Sequence, residues 1–280
     1  MDHNQDIAVR AFTIRSPRRT LGLFLLVFMV SLSACEDDSG AYLLAQKAKE
    51  QWDAGRYADA ARNYATLAEV HPNHHLAEDA LFWAANLYHH FLETPDEAIR
   101  FYQALLVRFP KGTHTLKAQE SLAELFNANK RTRHRALQTY QQLLLSEGMK
   151  ERRDEILFEI ASINLKMGAL DQARFELREL ITKYPKSSFL PEAYYLVGYS
   201  YFLEQRQPLA LVAFRDAVKK FPGTPTASRA QFFVAEILEE QGKLGEALKA
   251  FMALKGKYHN EKVLEKRIAS LQTRLRKGVR

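Results

Sequence analysis

The sequence predicts an all-α solenoid of paired helices, about six repeats followed by a C-terminal capping helix, and three observations carry that prediction. The first is a frame of apolar residues with a stop. Ala210, Phe214 and Ala217 stand at i, i+4 and i+7, on one face of a helix, and Pro222 ends it. The same frame recurs as Ala60, Tyr64, Leu67 and Pro72, as Ala98, Tyr102, Leu105 and Pro110, and as Ala173, Leu177, Leu180 and Pro185. Two copies lack the proline: Ala136, Tyr140 and Leu143 lead to Gly148, and Ala247, Phe251 and Leu254 lead to His259. The second observation is the period, because the marker alanines are spaced by 38, 38, 37, 37 and 37 residues. The third is a small residue upstream of each marker: Ala48, Ala85, Ala123, Ala161, Gly198 and Ala235. Small residues are required where two helices cross at roughly 8–10 Å, since larger side chains would force the backbones apart.

Composition agrees with a folded helical chain. Of 280 residues, 47% are hydrophobic, and only 12 are glycine and 9 proline. One cysteine, Cys35, excludes an internal disulfide framework and a multi-cysteine metal site, so the fold relies on packing. The net charge of +7 is concentrated between Lys255 and Arg280, where nine Lys and Arg face only Glu261 and Glu265. A basic stripe along the array is missing, which argues against nucleic-acid binding.

Taken in order, residues 1–34 read as a secretory signal: Arg10, Arg15, Arg18 and Arg19, an apolar run from Leu21 to Leu32, then Leu32-Ser33-Ala34-Cys35. The run is shorter than the roughly 20 residues that span a bilayer. An ordinary cleaved signal and an uncleaved, tilted anchor are the alternatives. Residues 35–40 form a short acidic linker, residues 41–260 hold the repeats, and residues 261–280 form a basic capping helix or tail.

The first unit pairs 41–54 with 57–70 around Gly55-Arg56, where glycine supplies the positive φ that closes a helix. The small residues lie 12 apart in most units but 13 apart in the second and third, which places one extra residue in each of those turns. The second turn, Glu93-Thr94-Pro95-Asp96, reads as a proline-led helix start, and the third, Lys130 to Arg135, is strongly basic. His71, His74, His75, His89 and His90 do not converge: His74 and His89 are expected at opposite ends of one helix, roughly 22 Å apart. No adjacent pair has metal-ligand spacing, so no metal is expected. Leu264, Ile268, Leu271 and Leu275 form an apolar stripe in the terminal segment, with Lys266, Arg267, Arg274 and Lys277 off it, as a cap requires.

The paired helices and their period resemble the tetratricopeptide repeat over roughly residues 41–260, which implies a right-handed helical-hairpin solenoid whose first helices line a concave groove. Candidate partner-binding residues follow from that placement. Phe82, Phe158, Tyr195 and Phe232 each stand three residues before the small marker, where they either fill the inter-repeat core or line the groove. Tyr199 and Phe202 join Tyr195 on one helix face, and aromatics are good anchors in recognition surfaces. Glu236, Glu239 and Glu240 come next along the presumed groove.

Leu-Ser-Ala-Cys resembles the lipobox of bacterial lipoproteins, which implies acylation of Cys35 and a membrane-tethered body. Phe109-Pro110, Tyr184-Pro185, Phe221-Pro222 and the run Glu192-Ala193-Tyr194-Tyr195 through Gly198-Tyr199-Ser200-Tyr201-Phe202 are similar to BamD-type lipoproteins of the outer-membrane β-barrel assembly machinery. That resemblance implies a Gram-negative envelope protein facing the periplasm, binding envelope proteins and needing no cofactor. Pilotins of type IV pili and the Tol-associated periplasmic coordinator share these motifs. Glu36 and Asp37 depart from the pattern of many outer-membrane members, leaving inner and outer membrane both open. No phosphate-cradling loop, nucleophile elbow or paired-histidine helix is present, so catalysis is not expected.

Overall fold

The structure, a computed structural model, describes residues 38–278. Among these are thirteen α-helices and no strand. None of these helices is long and apolar enough to cross a membrane. Residues 1–34, read above as a signal segment, and Cys35 lie outside the described residues. Residues 38–40, the end of the anticipated linker 35–40, belong to the first helix.

The chain divides into two compact units at Gly112 and Thr113. The first holds two hairpins, α1 (38–53) with α2 (Tyr57–Val70) and α3 (Ala77–His90) with α4 (Pro95–Arg108). The second holds four: α5 (Thr115–Ala128) with α6 (Arg133–Leu145), α7 (Arg153–Met167) with α8 (Leu170–Lys183), α9 (Leu190–Leu203) with α10 (Gln207–Lys220), and α11 (Pro225–Glu240) with α12 (Leu244–Met252). Helix α13 (Glu261–Gly278) closes the second unit. Within each unit successive helices pack on one another, the nearest-neighbour arrangement of a repeat array.

Each repeated feature of the sequence has a physical counterpart. All six marker alanines, and all five upstream alanines, have no exposed surface, and Gly198 is buried. A Cβ on Gly198 would lie 2.6 Å from Phe214 Cδ1, so a side chain there would collide with the partner helix of its own hairpin. Where the frame ends in proline, the preceding residue leaves the helical region: His71, Phe109, Tyr184 and Phe221 have φ between −126° and −119° and ψ between 54° and 64°. Their amides still reach back to Leu67, Leu105, Leu180 and Ala217, which satisfies a terminal carbonyl in each case. In five of the six hairpins the inner turn uses a left-handed residue, Gly55, Glu93, Gly168, Gln205 and Gly242, while the α5–α6 turn has none.

The two frames without proline behave differently. Helix α6 runs into a 3₁₀ stretch, Glu147–Arg152, before α7 begins, and α12 is cut to nine residues. The expected terminal cap is observed, with Leu264, Ile268 and Leu271 buried on the last hairpin. Two charged side chains of α8, Arg174 and Glu176, are buried in the second unit. Arg174 on α8 is 3% exposed, pairs with Asp171 and with Glu204 at 2.8 Å, donates to Ser200 Oγ at 3.3 Å, and lies over the Tyr201 ring.

The histidines require a correction. Helix α3 starts at Ala77, so His74 sits in the preceding turn, where its ring meets Tyr42 edge-on and its Nε2 lies 2.7 Å from Asp38. Among the described residues, no group of three or more His, Cys, Asp or Glu is placed to hold a metal ion.

Candidate functional site

The first helices of the second unit decide which aromatics can meet a partner. Tyr195 stands at i−3 from Gly198, on the side that faces the helix crossing, so it points inward. Its ring is 7% exposed, packs against Phe214 and is covered from outside by the Arg229 guanidinium at 4.3 Å. Arg229 is held there by an ion pair to Glu192, which also accepts from Thr226 Oγ1 at 3.1 Å. Burial is the main reason the Tyr195 phenol is pushed up to about 12. Phe232 is buried by the same geometry, stacked on Tyr258 with ring centroids 4.5 Å apart and set against Phe251. In the first unit Phe82 is 3% exposed. Phe82, Tyr195 and Phe232 are therefore core residues, which corrects the expectation that they line a groove. Phe158 is half-buried and stacks on Phe189.

Tyr199 and Phe202 remain half-exposed, and the structure brings them together through a residue that the periodic pattern does not single out. Phe233 on α11 meets Tyr199 at 5.6 Å and Phe202 at 4.9 Å, while its other face stacks on Phe214 at 5.2 Å. The adjacent aromatics Phe232-Phe233 were the available signal, since neighbours on a helix point about 100° apart and one of two must leave the core. The result is a partly buried aromatic strip shared by two first helices and rooted on Phe214 of the core.

The acidic continuation of that strip is not free. Glu236 pairs with Arg267 at 2.7 Å, Glu239 pairs with Arg274 at 2.5 Å, and Glu240 accepts from Gln207. Burial raises the Glu236 carboxyl, with Arg267 opposing that shift. These glutamates fasten α13 and α10 to α11 instead of extending a groove. Of the basic turn, Arg135 lies over Phe126 and Arg133 donates to the Asn127 carbonyl, while Lys130 and Arg131 are exposed.

A second aromatic face lies on the first helices of the first unit. Trp52 and Trp83, the chain's two tryptophans, meet edge to face at 5.3 Å, and Phe91, 43% exposed, packs on Trp52. With Lys49, Asp53 and Tyr64 the tryptophans line a cavity of about 320 Å³. Trp83 follows Phe82 as Phe233 follows Phe232, so the same signal applied here.

The comparisons with known proteins agree with this geometry. Models of the tetratricopeptide repeat match residues 46–113 and 208–258, and a second model of that repeat matches residues 155–187, together more than half of the chain. The chain belongs to the tetratricopeptide repeat family. Among solved structures it is similar to a tetratricopeptide repeat protein from Parabacteroides merdae, at 16% identity and a TM-score of 0.59, covering 84% of this chain and 88% of that one. It is similar to YrrB, at 19% identity and 0.51, covering 72% and 96%, and to PilF of Pseudomonas aeruginosa, at 14% identity and 0.50, covering 85% and 99%. At these identities the likeness shows the fold alone. No curated protein matches the chain in sequence.

Proposed function

We propose that this chain is a lipid-anchored scaffold of a Gram-negative cell envelope, facing the periplasm, that holds a partner polypeptide during outer-membrane β-barrel assembly. The observation that carries the scaffold reading is the partly exposed strip of Tyr199, Phe202 and Phe233, in which Phe233 is stacked on Phe214 and in turn packs both other rings, so that they lose little freedom on binding. YrrB, of the same family, is described as having an unusual peptide-binding site, which supports the same use of the fold here. The family consists in general of non-catalytic scaffolds, and the reading gives this chain no reaction of its own. The anchor rests on the ordered arginines, apolar run and Leu-Ser-Ala-Cys35 of the sequence.

Affinity capture from detergent extract tests the proposal. A β-barrel insertase is expected to co-purify with the wild type and to be lost from the Tyr199→Ala/Phe202→Ala variant. Recovery of a secretin, or of a peptidoglycan synthase, refutes the assembly role and selects a pilotin or a Tol-associated coordinator. Undiminished capture by the double variant refutes the strip. Cys35→Ser is expected to release the protein from membranes in a high-salt wash.

A further inference from the structure

Helix α13 sorts its side chains by direction. Leu264, Ile268 and Leu271 are buried against the last hairpin, and on one flank Arg267 and Arg274 pair with Glu236 and Glu239 of α11. At 3.6 residues per turn, Lys262, Lys266 and Lys277 fall within about 40° of the direction opposite the apolar stripe, with Arg276 at their edge. All four are exposed, and none makes an ion pair or hydrogen bond among the described residues. Glu261 and Glu265, the two carboxylates of the helix, lie on the other flank, and Glu261 accepts from the Gly256 amide at 2.7 Å. Only Ala269, Ser270 and Thr273 stand among the cations, so the ridge carries one sign of charge over about 22 Å.

The cap does not need this ridge. The buried stripe and the two paired arginines already fasten α13 to its neighbours. Lys262, in the first turn, opposes the helix dipole, and with Lys266 it places like charges one turn apart. Both lysines therefore stand against the helix's own preference.

We infer that the ridge of Lys262, Lys266 and Lys277 docks on the headgroups of an anionic phospholipid bilayer. A row along one helix presents all of its cations to a plane at once, and attraction to an anionic leaflet requires only charge near its surface. A polypeptide partner calls for a desolvated aromatic or arginine anchor, and residues 261–280 contain no aromatic side chain. Because the apolar stripe is already buried, the contact is electrostatic, without insertion, and is screened by salt. The inference rests on the membrane reading above in that a bilayer is within reach, where a cationic patch adds a second attachment to acyl chains. It uses no residue of the aromatic strip.

The test is co-sedimentation of the full chain carrying Cys35→Ser, which removes any acyl anchor, with vesicles of phosphatidylcholine alone or mixed with phosphatidylglycerol at roughly 3:1. The mixed vesicles are expected to bind at least about 100-fold more tightly, at about fivefold per cation. Lys262→Gln/Lys266→Gln should weaken that binding about 25-fold, and Lys262→Arg/Lys266→Arg should retain it. Lys186→Gln/Lys219→Gln removes the same charge from exposed positions elsewhere in the second unit and should leave binding within about twofold. Circular dichroism confirms that each variant is folded. Equal binding to the two vesicles, full affinity in folded Lys262→Gln/Lys266→Gln, an equal loss in the control, or binding that survives about 1 M salt overturns the inference. Ridge-dependent capture of a polyglutamate peptide without vesicle binding also overturns it and assigns the ridge to an acidic polypeptide. Cell membranes that retain the Cys35→Ser protein through a high-salt wash count against the anchor and not against the ridge, whose hold salt removes.

Discussion

Replacing Gly198 with alanine sets two effects of known size against each other. In the middle of α9, alanine gains about 1 kcal/mol of helix propensity over glycine. The new methyl, however, would lie 2.6, 2.8 and 2.9 Å from Phe214 Cδ1, Cε1 and Cγ. Phe214 has no exposed surface and is held between Tyr195 and Phe233, so its ring cannot swing away cheaply. Overpacking of this kind costs about 1–3 kcal/mol, and the balance is a net loss of about 1 kcal/mol. For a domain of this size that lowers the melting temperature by about 2–4 °C. Gly245→Ala is the internal control: nothing lies within 4 Å of its Cβ, so the same change should be neutral or slightly stabilising. Phe214→Leu should be less damaging in the Gly198→Ala background than in the wild type, with a coupling of about 0.5 kcal/mol or more. The assay is thermal unfolding followed by circular dichroism across this double-mutant cycle. A Gly198→Ala protein that melts at or above the wild type, or a cycle without coupling, refutes the reasoning.

Two further outcomes follow from charged groups. Arg174→Met leaves Glu204, whose side chain is 23% exposed, with only the longer ion pair to Arg206 at 3.6 Å, while Asp171, 93% exposed, stays hydrated, so the loss should be about 1–2 kcal/mol and visible in the same melting assay; a shift below about 1 °C would show that the buried guanidinium contributes nothing. Glu159→Gln should melt higher than the wild type at pH 7, because the Glu159 carboxyl is raised by burial and its ionisation opposes folding. The gap should close below the ordinary value of 4.5, where both side chains are neutral, and open as pH rises through the raised folded value; a gap independent of pH refutes the assignment.

Much of the fold was legible because burial at a helix crossing leaves a mark that survives in the residue type. Alanine or glycine recurring at a fixed period is what close approach of two backbones demands, and α2 spans the expected residues 57–70. The site was legible only in part. Tyr195 and Phe232 share a face with the small residue three positions on, but periodicity left core and groove both open for them, and only the packing of Phe214 and Arg229 on one ring and of Phe251 and Tyr258 on the other decides for the core. Phe233 and Trp83 escaped notice because their importance depends on which neighbour fills the adjoining space. The 3₁₀ stretch was signalled by the missing proline at position 148, though its form was not.

That stretch has an effect beyond its own residues. Gly148 lies so close to α5 that a Cβ there would sit 2.5 Å from Leu116 Cδ1, and the buried Met149 anchors the segment behind it. A ligand reading a strictly periodic surface could settle at several equivalent berths, each a hairpin from the next. The joint at 147–152, the one 3₁₀ segment among the described residues, destroys that equivalence by inserting Arg152 where other hairpins have no counterpart. Under the proposed scaffold role, a chain bound there would gain an index point from which its remaining contacts are counted.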